Sequence, residues 1–139
     1  MPELETEAVM CWQPEFETMP RERLEALQLE RFRATMTQAA KSPYYGAKFA
    51  EQGITPQDLT DISRIRDLPF TTKEDLRGHF PYGFLTVPRT ELVRLHCSSG
   101  TTGNPTVIFH NRHDLASWAN LVARSLYAAG ARPHHVFQN

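Results

Sequence analysis

The chain has 139 residues, which is enough for one domain with a single compact core. Its 15 basic and 16 acidic side chains form no long block of one sign, which argues against a nucleic-acid-binding or membrane-surface protein. The acidic amino terminus lacks the order of a signal peptide, and no apolar run reaches the ~18 residues that a membrane-spanning helix needs. These features predict a cytoplasmic protein, and Cys11 and Cys97 are too far apart to indicate a disulfide framework.

The first half of the sequence predicts helices. Residues 1–17 show no sustained period and are expected to lie extended over the rest of the protein as an arm. After them, Pro20 suits a first helical turn and precedes an amphipathic helix of about five turns. The residues that recur at helical spacing along this stretch are Leu24, Leu27, Phe32, Met36, Ala39 and Ala40.

Three short helices are predicted next, each from its capping residues. Ser42 and Pro43 begin one that Gly53 can end in a left-handed conformation. Thr55 and Asp58 have the spacing of a capping box, with Pro56 at the first helical position. A third helix follows, and either Thr71 or Thr72 can cap its start before Lys73, Glu74, Asp75 and Leu76.

Strand patterns replace helix patterns near residue 90. Residues 92–96 and 106–110 each read as a strand, and Asn111 with Asp114 can cap a helix that Gly130 ends. Residues 135–138 are predicted to begin another strand, and a strand–helix–strand order is typical of a right-handed parallel unit. We therefore predict an α/β protein in which residues 1–90 form a mostly helical lead-in and residues 91–139 begin a larger nucleotide-binding sheet.

The predicted sheet is incomplete, because most of its neighbouring strands are not in this sequence. A strand at residues 135–139 would leave an unpaired edge and an uncovered apolar face. We therefore expect the isolated chain to self-associate.

The segment between the two predicted strands contains five hydroxyl residues and two glycines in nine positions, residues 98–106. Glycine lets backbone amides approach an anion, and serine and threonine add hydroxyl donors, so this density is typical of a phosphate-binding loop. It is not a Walker loop, because the GxxxxGK[ST] order is missing and a strand follows it. A plain hairpin connection rich in small residues is the alternative that composition alone leaves open.

The order of residues in this loop, SSGTTGNPT, resembles the SSGTTGKPT phosphate loop of adenylate-forming enzymes. Further segments are similar to the phenylacetate-CoA ligase family, in the same order and over essentially the whole chain. These segments are Trp12–Glu15 (WQPE), Leu27-Gln28, Ser42–Tyr45 (SPYY), Leu68–Arg77 (LPFTTKEDLR) and Val136–Asn139 (VFQN). The resemblance identifies the chain as the amino-terminal part of such a ligase.

The resemblance implies a two-step reaction for the intact enzyme. The carboxylate of an aryl acid such as phenylacetate attacks Mg-ATP to form an acyl-adenylate, and coenzyme A then displaces AMP. Within this chain it implies no catalytic residue and no metal ligand, because the adenine pocket, the magnesium-binding acid and the catalytic lysine of the family lie further along. The residues implied to contact the ATP phosphates are Ser98, Ser99, Gly100, Thr101, Thr102, Gly103, Asn104 and Thr106.

Asn104 departs from the family pattern, which usually has lysine after the second glycine. Loss of that charge-assisted contact would cost about 1.5–3 kcal/mol if the lysine helps pyrophosphate to leave. We therefore expect slow adenylation. Phe137, Gln138 and Asn139 stand where the acyl-pocket segment of the family begins, and are the candidates for substrate contact.

Other clusters have simpler interpretations. His110 and His113 lack a carboxylate or thiol at ligand spacing, so no metal site is predicted. Six aromatic residues could line an aryl pocket, although packing is the more common role of such clusters; they are Tyr44, Tyr45, Phe49, Phe80, Tyr82 and Phe84.

Two further alternatives for the function stay open: a relative that acts on another aryl acid or a deazaflavin, and a non-catalytic remnant that serves as a binding protein.

Overall fold

The computed structural model describes residues 11–98, 105–136 and 138. The described part of the chain is mainly helical, with one small sheet. In chain order, the elements are α1 (Pro14–Glu17), α2 (Arg21–Ala39), α3 (Pro43–Gln52), 3₁₀ helices at Pro56–Asp58 and Ile62–Asp67, α4 (Lys73–Gly78), a 3₁₀ helix at Arg89–Glu91, β1 (Arg94–Cys97), β2 (Val107–His110) and α5 (Arg112–Ala128). No helix in these ranges is long and apolar enough to cross a membrane.

The long helix α2 supplies one side of the small core. Met36 is almost fully buried, and it packs with Phe49 of α3 and with Leu59, which follows the first 3₁₀ helix. Arg33 fixes the same junction, because its guanidinium donates to the backbone carbonyl of Leu59. Pro20 immediately precedes the helix instead of occupying its first turn, so the predicted start is wrong by one residue.

Capping residues begin the shorter helices as predicted. Ser42 accepts a hydrogen bond from the amide of Tyr45 at 3.2 Å, and Gly53 ends α3 at φ 63°. Thr72, not Thr71, caps α4: its hydroxyl accepts from the amide of Asp75, whose carboxylate accepts from Thr72 in return. These hydrogen bonds favour the charged carboxylate, so the backbone amide and hydroxyl of Thr72 lower the pKa of Asp75.

β1 and β2 form an antiparallel pair in which Arg94 is opposite His110 and Cys97 is opposite Val107. The amide of Val93 donates to His110 O at 2.9 Å, which extends the pairing by one residue. Asn111 then caps α5 through a reciprocal pair of 2.9 Å hydrogen bonds with Asp114. After the helix, Gly130 adopts φ 91°, as expected of its terminating residue.

The strand predicted at residues 135–138 is wrong for the residues that the structure describes. His135 lies in a bend and its amide donates to Arg132 O, while Val136 and Gln138 pair with no strand. A strand requires a hydrogen-bonding neighbour, and β1 and β2 form a separate two-stranded sheet here. The unpaired-edge argument for self-association therefore fails, and the predicted division near residue 90 stays a prediction.

The amino-terminal segment is not extended, because residues 14–17 form a single helical turn. It does lie on another part of the protein, as predicted of an arm. The indole of Trp12 donates to Asn120 Oδ1 at 2.7 Å, and Gln13 Oε1 accepts from Asn120 at 2.9 Å and from Arg124 at 2.8 Å. Glu17 adds an ion pair with Arg124 at 3.4 Å. We call this set of contacts the amino-terminal clamp, and it joins the start of the described chain to the middle of α5.

We predict that Gln13→Ala lowers the free energy of unfolding by about 1–2 kcal/mol, because one oxygen accepts from two donors, one of them charged. Urea unfolding followed by circular dichroism measures this difference. Gln28→Ala, at an exposed position on α2, is the matched control and should change stability by less than ~0.5 kcal/mol. Equal effects of the two substitutions would contradict a stabilising clamp.

Candidate phosphate-binding site

The predicted phosphate loop connects the ends of β1 and β2. The amide of Ser98 donates to Thr106 O at 3.0 Å, and the amide of Thr106 donates to Ser98 Oγ at 3.3 Å. These two contacts continue the hairpin one residue pair beyond Cys97 and Val107. The ends of the loop are therefore held together by backbone and side-chain hydrogen bonds.

Thr106 carries an unpaired polar atom. Its Oγ1 is buried and has no hydrogen-bond partner among the described residues. A buried hydroxyl in that state costs about 1–3 kcal/mol unless a ligand or water supplies an acceptor. A phosphate oxygen is such an acceptor, so the chemistry of Thr106 fits the ligand that the loop sequence predicts.

Aromatic side chains fix the hairpin on both faces. On one face, the rings of His96 and His110 contact each other and Trp118 of α5, with His110 stacked on the indole at 5.5 Å between centroids. On the other face, Phe109 stacks on Tyr82 at 5.4 Å. Because alternate residues of a strand point to opposite sides, one short strand can contact both α5 and the helical region.

Other candidate site residues are only partly described. Ser98 and Thr106 lie together at the base of the loop, whereas Ser99, Gly100, Thr101, Thr102, Gly103 and Asn104 lie outside the described residues. Of the three candidates for substrate contact, Gln138 is exposed, and Phe137 and Asn139 lie outside the described residues. The roles assigned to all of these positions stay predictions.

The aromatic cluster considered as an aryl pocket is divided by the fold. Tyr44, Tyr45 and Phe84 contact one another through their rings at 4.4–5.6 Å, which is packing between α3 and the segment after α4. Phe80 and Phe84 border a cavity of about 400 Å³ that also adjoins β2. The six residues therefore do not line one common pocket.

The two histidines considered as metal ligands, His110 and His113, lie in different surroundings. His110 belongs to the ring cluster with His96 and Trp118, and His113 is exposed at the start of α5. Within the described ranges, no three His, Cys, Asp or Glu side chains are grouped as metal ligands. Sequence reasoning missed the His96–Trp118 contact, and the alternation of residues along β1 is the signal that could have indicated it.

The chain is similar to curated proteins over most of its length. A phenylacetate-coenzyme A ligase from Thermus thermophilus is 46% identical over 131 residues, which are 94% of this chain. Proteins of the same name from Pseudomonas putida and Escherichia coli are 49% and 45% identical, and each match covers 84% of this chain. The chain belongs to the phenylacetate-CoA ligase family. No family model matches it.

Solved structures show the same relationship in three dimensions. Two structures of 2-hydroxyisobutyryl-CoA ligase match 96% of this chain with TM-scores of 0.80 and 0.81 and 30% and 32% identity. One is in complex with 2-HIB-AMP, and the other with 2-HIB-AMP and CoA. The helices and hairpin described here are thus part of the fold of an adenylate-forming CoA ligase.

This member of the family is short relative to the proteins that it matches. It spans 29% of the Thermus relative and 27% of the Pseudomonas and Escherichia relatives. The matches to the solved ligases cover 28% and 29% of those chains. The chain thus covers less than a third of the length of each of these relatives.

We predict opposite effects for two substitutions at the base of the loop. Thr106→Val should leave the free energy of unfolding unchanged or raise it by about 1 kcal/mol, because it removes a buried hydroxyl that has no partner in the described part of the chain. Ser98→Ala should lower it by about 1 kcal/mol, because the amide of Thr106 loses its side-chain acceptor. Urea unfolding of both variants without nucleotide tests this. A comparable loss of stability in Thr106→Val would show that the hydroxyl is already paired.

Proposed function

We propose that this chain supplies the ATP-phosphate-binding segment of an adenylate-forming ligase that joins phenylacetate to coenzyme A. The observation that carries the proposal is the closed hairpin, which holds Ser98 and Thr106 together and leaves the Thr106 hydroxyl without a partner among the residues that the structure describes. The loop between them has the composition of a phosphate-binding turn. The relatives named as phenylacetate-CoA ligases support the assignment to this activity.

In the proposed first step, a carboxylate oxygen of the acid forms a bond to the α-phosphorus of ATP. The bond from that phosphorus to the bridging oxygen breaks, and its electrons leave with pyrophosphate. Negative charge therefore grows on the β-phosphate, where the amides and hydroxyls of residues 98–106 would donate hydrogen bonds. Donors already held in place stabilise this transition state more than the ground state, which is the condition for faster adenylation.

In the proposed second step, the sulfur of coenzyme A attacks the acyl carbon and AMP leaves. A solved neighbour with 2-HIB-AMP and CoA supports this step for the wider group of ligases. None of the described residues is assigned to coenzyme A or to magnesium. The proposed role of this chain is to bind and orient the phosphates that leave in the first step.

We propose phenylacetate as the substrate because this chain is more similar in sequence to phenylacetate-CoA ligases than to the 2-hydroxyisobutyryl-CoA ligase structures. The phenylacetate-CoA ligases are 45–49% identical to this chain in the three matches above, whereas the 2-hydroxyisobutyryl-CoA ligase structures are 30–32% identical. An aryl acid also agrees with the sequence segments, such as Leu68–Arg77, that are similar to the phenylacetate-CoA ligase family. Exchange that depends on another aryl acid or on a deazaflavin is a possible outcome of the hybrid-ligase experiment described below.

The exposed apolar face of the hairpin and α5 supports a larger polypeptide around this segment. Leu121 and Val122 on the helix, and Ile108 on the face of the hairpin that contacts α5, are each 46–55% exposed. Contiguous apolar residues of this kind are typical of surfaces that another protein segment covers. We infer that the rest of the ligase covers this face, and that the isolated chain self-associates in its absence.

A hybrid ligase tests the function. The 131 matched residues of the Thermus relative are replaced by those of this chain, and ATP–pyrophosphate exchange is measured with phenylacetate and magnesium. The proposal expects phenylacetate-dependent exchange in the hybrid and none in the 139-residue chain alone. A hybrid that folds, as judged by circular dichroism, but exchanges with no acid would favour the non-catalytic alternative. Exchange that depends on a different acid would change the proposed substrate but not the proposed adenylating activity.

Within the hybrid, we predict that Asn104→Lys raises the exchange rate by about 10- to 150-fold. This range corresponds to the roughly 1.5–3 kcal/mol expected of a charge-assisted contact to the departing pyrophosphate. Asn104→Gln, which lengthens the side chain without adding charge, is the matched control and should leave the rate within about threefold. An equal rate for Asn104→Lys and Asn104→Gln would show that no cation is needed at this position.

A further inference from the structure

Trp118 of α5 contacts both strands of the hairpin with one ring. Its indole meets the imidazole of His96 on β1 edge to face, at 5.1 Å between centroids, and stacks on the imidazole of His110 on β2 at 5.5 Å. The two imidazoles also contact each other at 5.1 Å. We call these three rings, which come from three different elements, the ring cluster.

The ring cluster lies on the same face of the hairpin as the side chains at the base of the phosphate loop. Ser98 is two residues beyond His96, and it pairs with Thr106, which is four residues before His110. Because every second residue of a strand points to the same side, these four side chains share one face. The rise per residue places Ser98 about 7 Å from His96 along the strand.

Little else in the described chain covers this face of the hairpin. Among the described residues of β1, His96 alone is partly buried, and the other three are exposed. Ile108 of β2 is on the same face and is 53% exposed. A two-stranded ribbon is marginally stable and varies more in twist than a larger sheet. On this side, the position of the loop base therefore depends on Trp118.

The helix that carries Trp118 is itself held at two other places. Its cap, Asn111, follows β2 directly, and Trp118 comes about two turns later. Beyond it, the amino-terminal clamp contacts Asn120 and Arg124. α5 is therefore a fixed support for the hairpin. The backbone joins it to β2, and Trp118 extends that support to β1.

Hydrogen-bond donors stabilise a transition state only when they are already in place, and a displacement of about 1 Å can cost on the order of 100-fold in rate. We propose that Trp118 is a positioning residue for adenylation, which holds Ser98 and Thr106 in place through His96 and His110. This inference rests on the proposed function of the phosphate loop. A positioning role affects the rate at saturating ATP more than it affects the binding of ATP.

Pyrophosphate exchange in the hybrid ligase tests this role. Trp118→Leu should lower kcat at least about tenfold and change the KM for ATP less than about threefold. Trp118→Phe retains an aromatic ring and should keep kcat within about threefold of the unsubstituted hybrid. Circular dichroism checks that each variant is folded.

Trp12→Leu is the matched control for Trp118→Leu. The two tryptophans are 44% and 42% exposed, and the described ring and hydrogen-bond contacts of Trp12 are with Tyr127 and Asn120 of α5. Trp12→Leu removes these contacts and leaves the ring cluster intact. It should therefore keep kcat within about threefold, even where urea unfolding shows that it costs as much stability as Trp118→Leu.

A double substitution tests whether Trp118 acts through the strand. His96→Ala should also lower kcat, because it removes one of the two imidazoles that the indole contacts. When both residues are replaced, the loss should be smaller than the product of the two single losses, since residues that act through one contact are not additive. A loss equal to that product would contradict action through His96.

A spin label on Cys97 tests the positioning without any activity. Cys97 is an exposed free thiol next to Ser98, and it is on the face opposite the ring cluster. Cys11→Ser leaves Cys97 as the one thiol of the 139-residue chain. In this background, Trp118→Leu should increase the mobility of the nitroxide in electron paramagnetic resonance spectra. Trp118→Phe and Trp12→Leu should leave the mobility unchanged.

Three results would overturn the proposal. Equal losses of kcat in Trp118→Leu and Trp12→Leu would indicate a general effect on α5. A raised KM with an unchanged kcat would indicate a role in binding ATP. Unchanged nitroxide mobility in Trp118→Leu would show that the ring cluster does not hold the loop base. A folded hybrid that exchanges in no variant would contradict the proposed function instead, and the spin label then decides whether Trp118 positions the loop base.

Discussion

The antiparallel pairing of β1 with β2 is the constraint on which the rest of the described structure depends. It brings Ser98 to within hydrogen-bonding distance of Thr106 and so sets the width of the phosphate loop. It also directs the chain into α5, whose cap follows β2 without an intervening loop. A two-stranded hairpin is marginal in water by itself, so its position requires contacts on both faces. Trp118 supplies them on one face and Tyr82 on the other.

Polar contacts between distant parts of the chain compensate for a small apolar core. The core cluster of buried residues is Met36, Phe49 and Leu59, to which partly buried neighbours add. By contrast, the amino-terminal clamp joins residues more than 100 positions apart through Gln13 and Trp12. The clamp holds the middle of α5, and the hairpin holds its start. The helix that follows the phosphate loop is therefore fixed at two points by different chemistry.

Three surfaces of the chain have distinct chemistry. The loop sequence is rich in hydroxyl residues, and the exposed face of α5 is apolar. An apolar groove lined by Phe32, Met36, Phe49 and Phe70, the Phe70 groove, lies between α2, α3 and the segment before α4. The Thermus and Pseudomonas relatives are more than three times as long as this chain. The Phe70 groove lies on the helical region, on elements that do not include the hairpin.

Local features of the fold were predictable from the sequence, because each depends on residues close together in the chain. Ser42, Thr72 with Asp75, and Asn111 with Asp114 cap helices where their spacing predicted, since a side chain can reach an amide three residues away. The two strands around the loop were also found, with boundaries shifted by one or two residues. The order of residues in the loop indicated adenylate-forming enzymes, and further segments such as Leu68–Arg77 indicated the ligase family.

Features that depend on distant partners could not be read from the sequence. Residues 135–138 have strand propensity, but a strand forms only when a neighbouring strand pairs with it, and neither β1 nor β2 pairs with the described residues of this segment. The aromatic residues looked like one cluster in sequence, yet the fold separates Tyr82 from Tyr44 and Tyr45 and leaves Phe70 exposed. The unpaired hydroxyl of Thr106 likewise appears only in three dimensions. The sequence alone determined where helices begin and which family the chain belongs to, because those depend on the local order of residues, whereas only the tertiary structure decided which side chains meet, because that depends on how the chain packs.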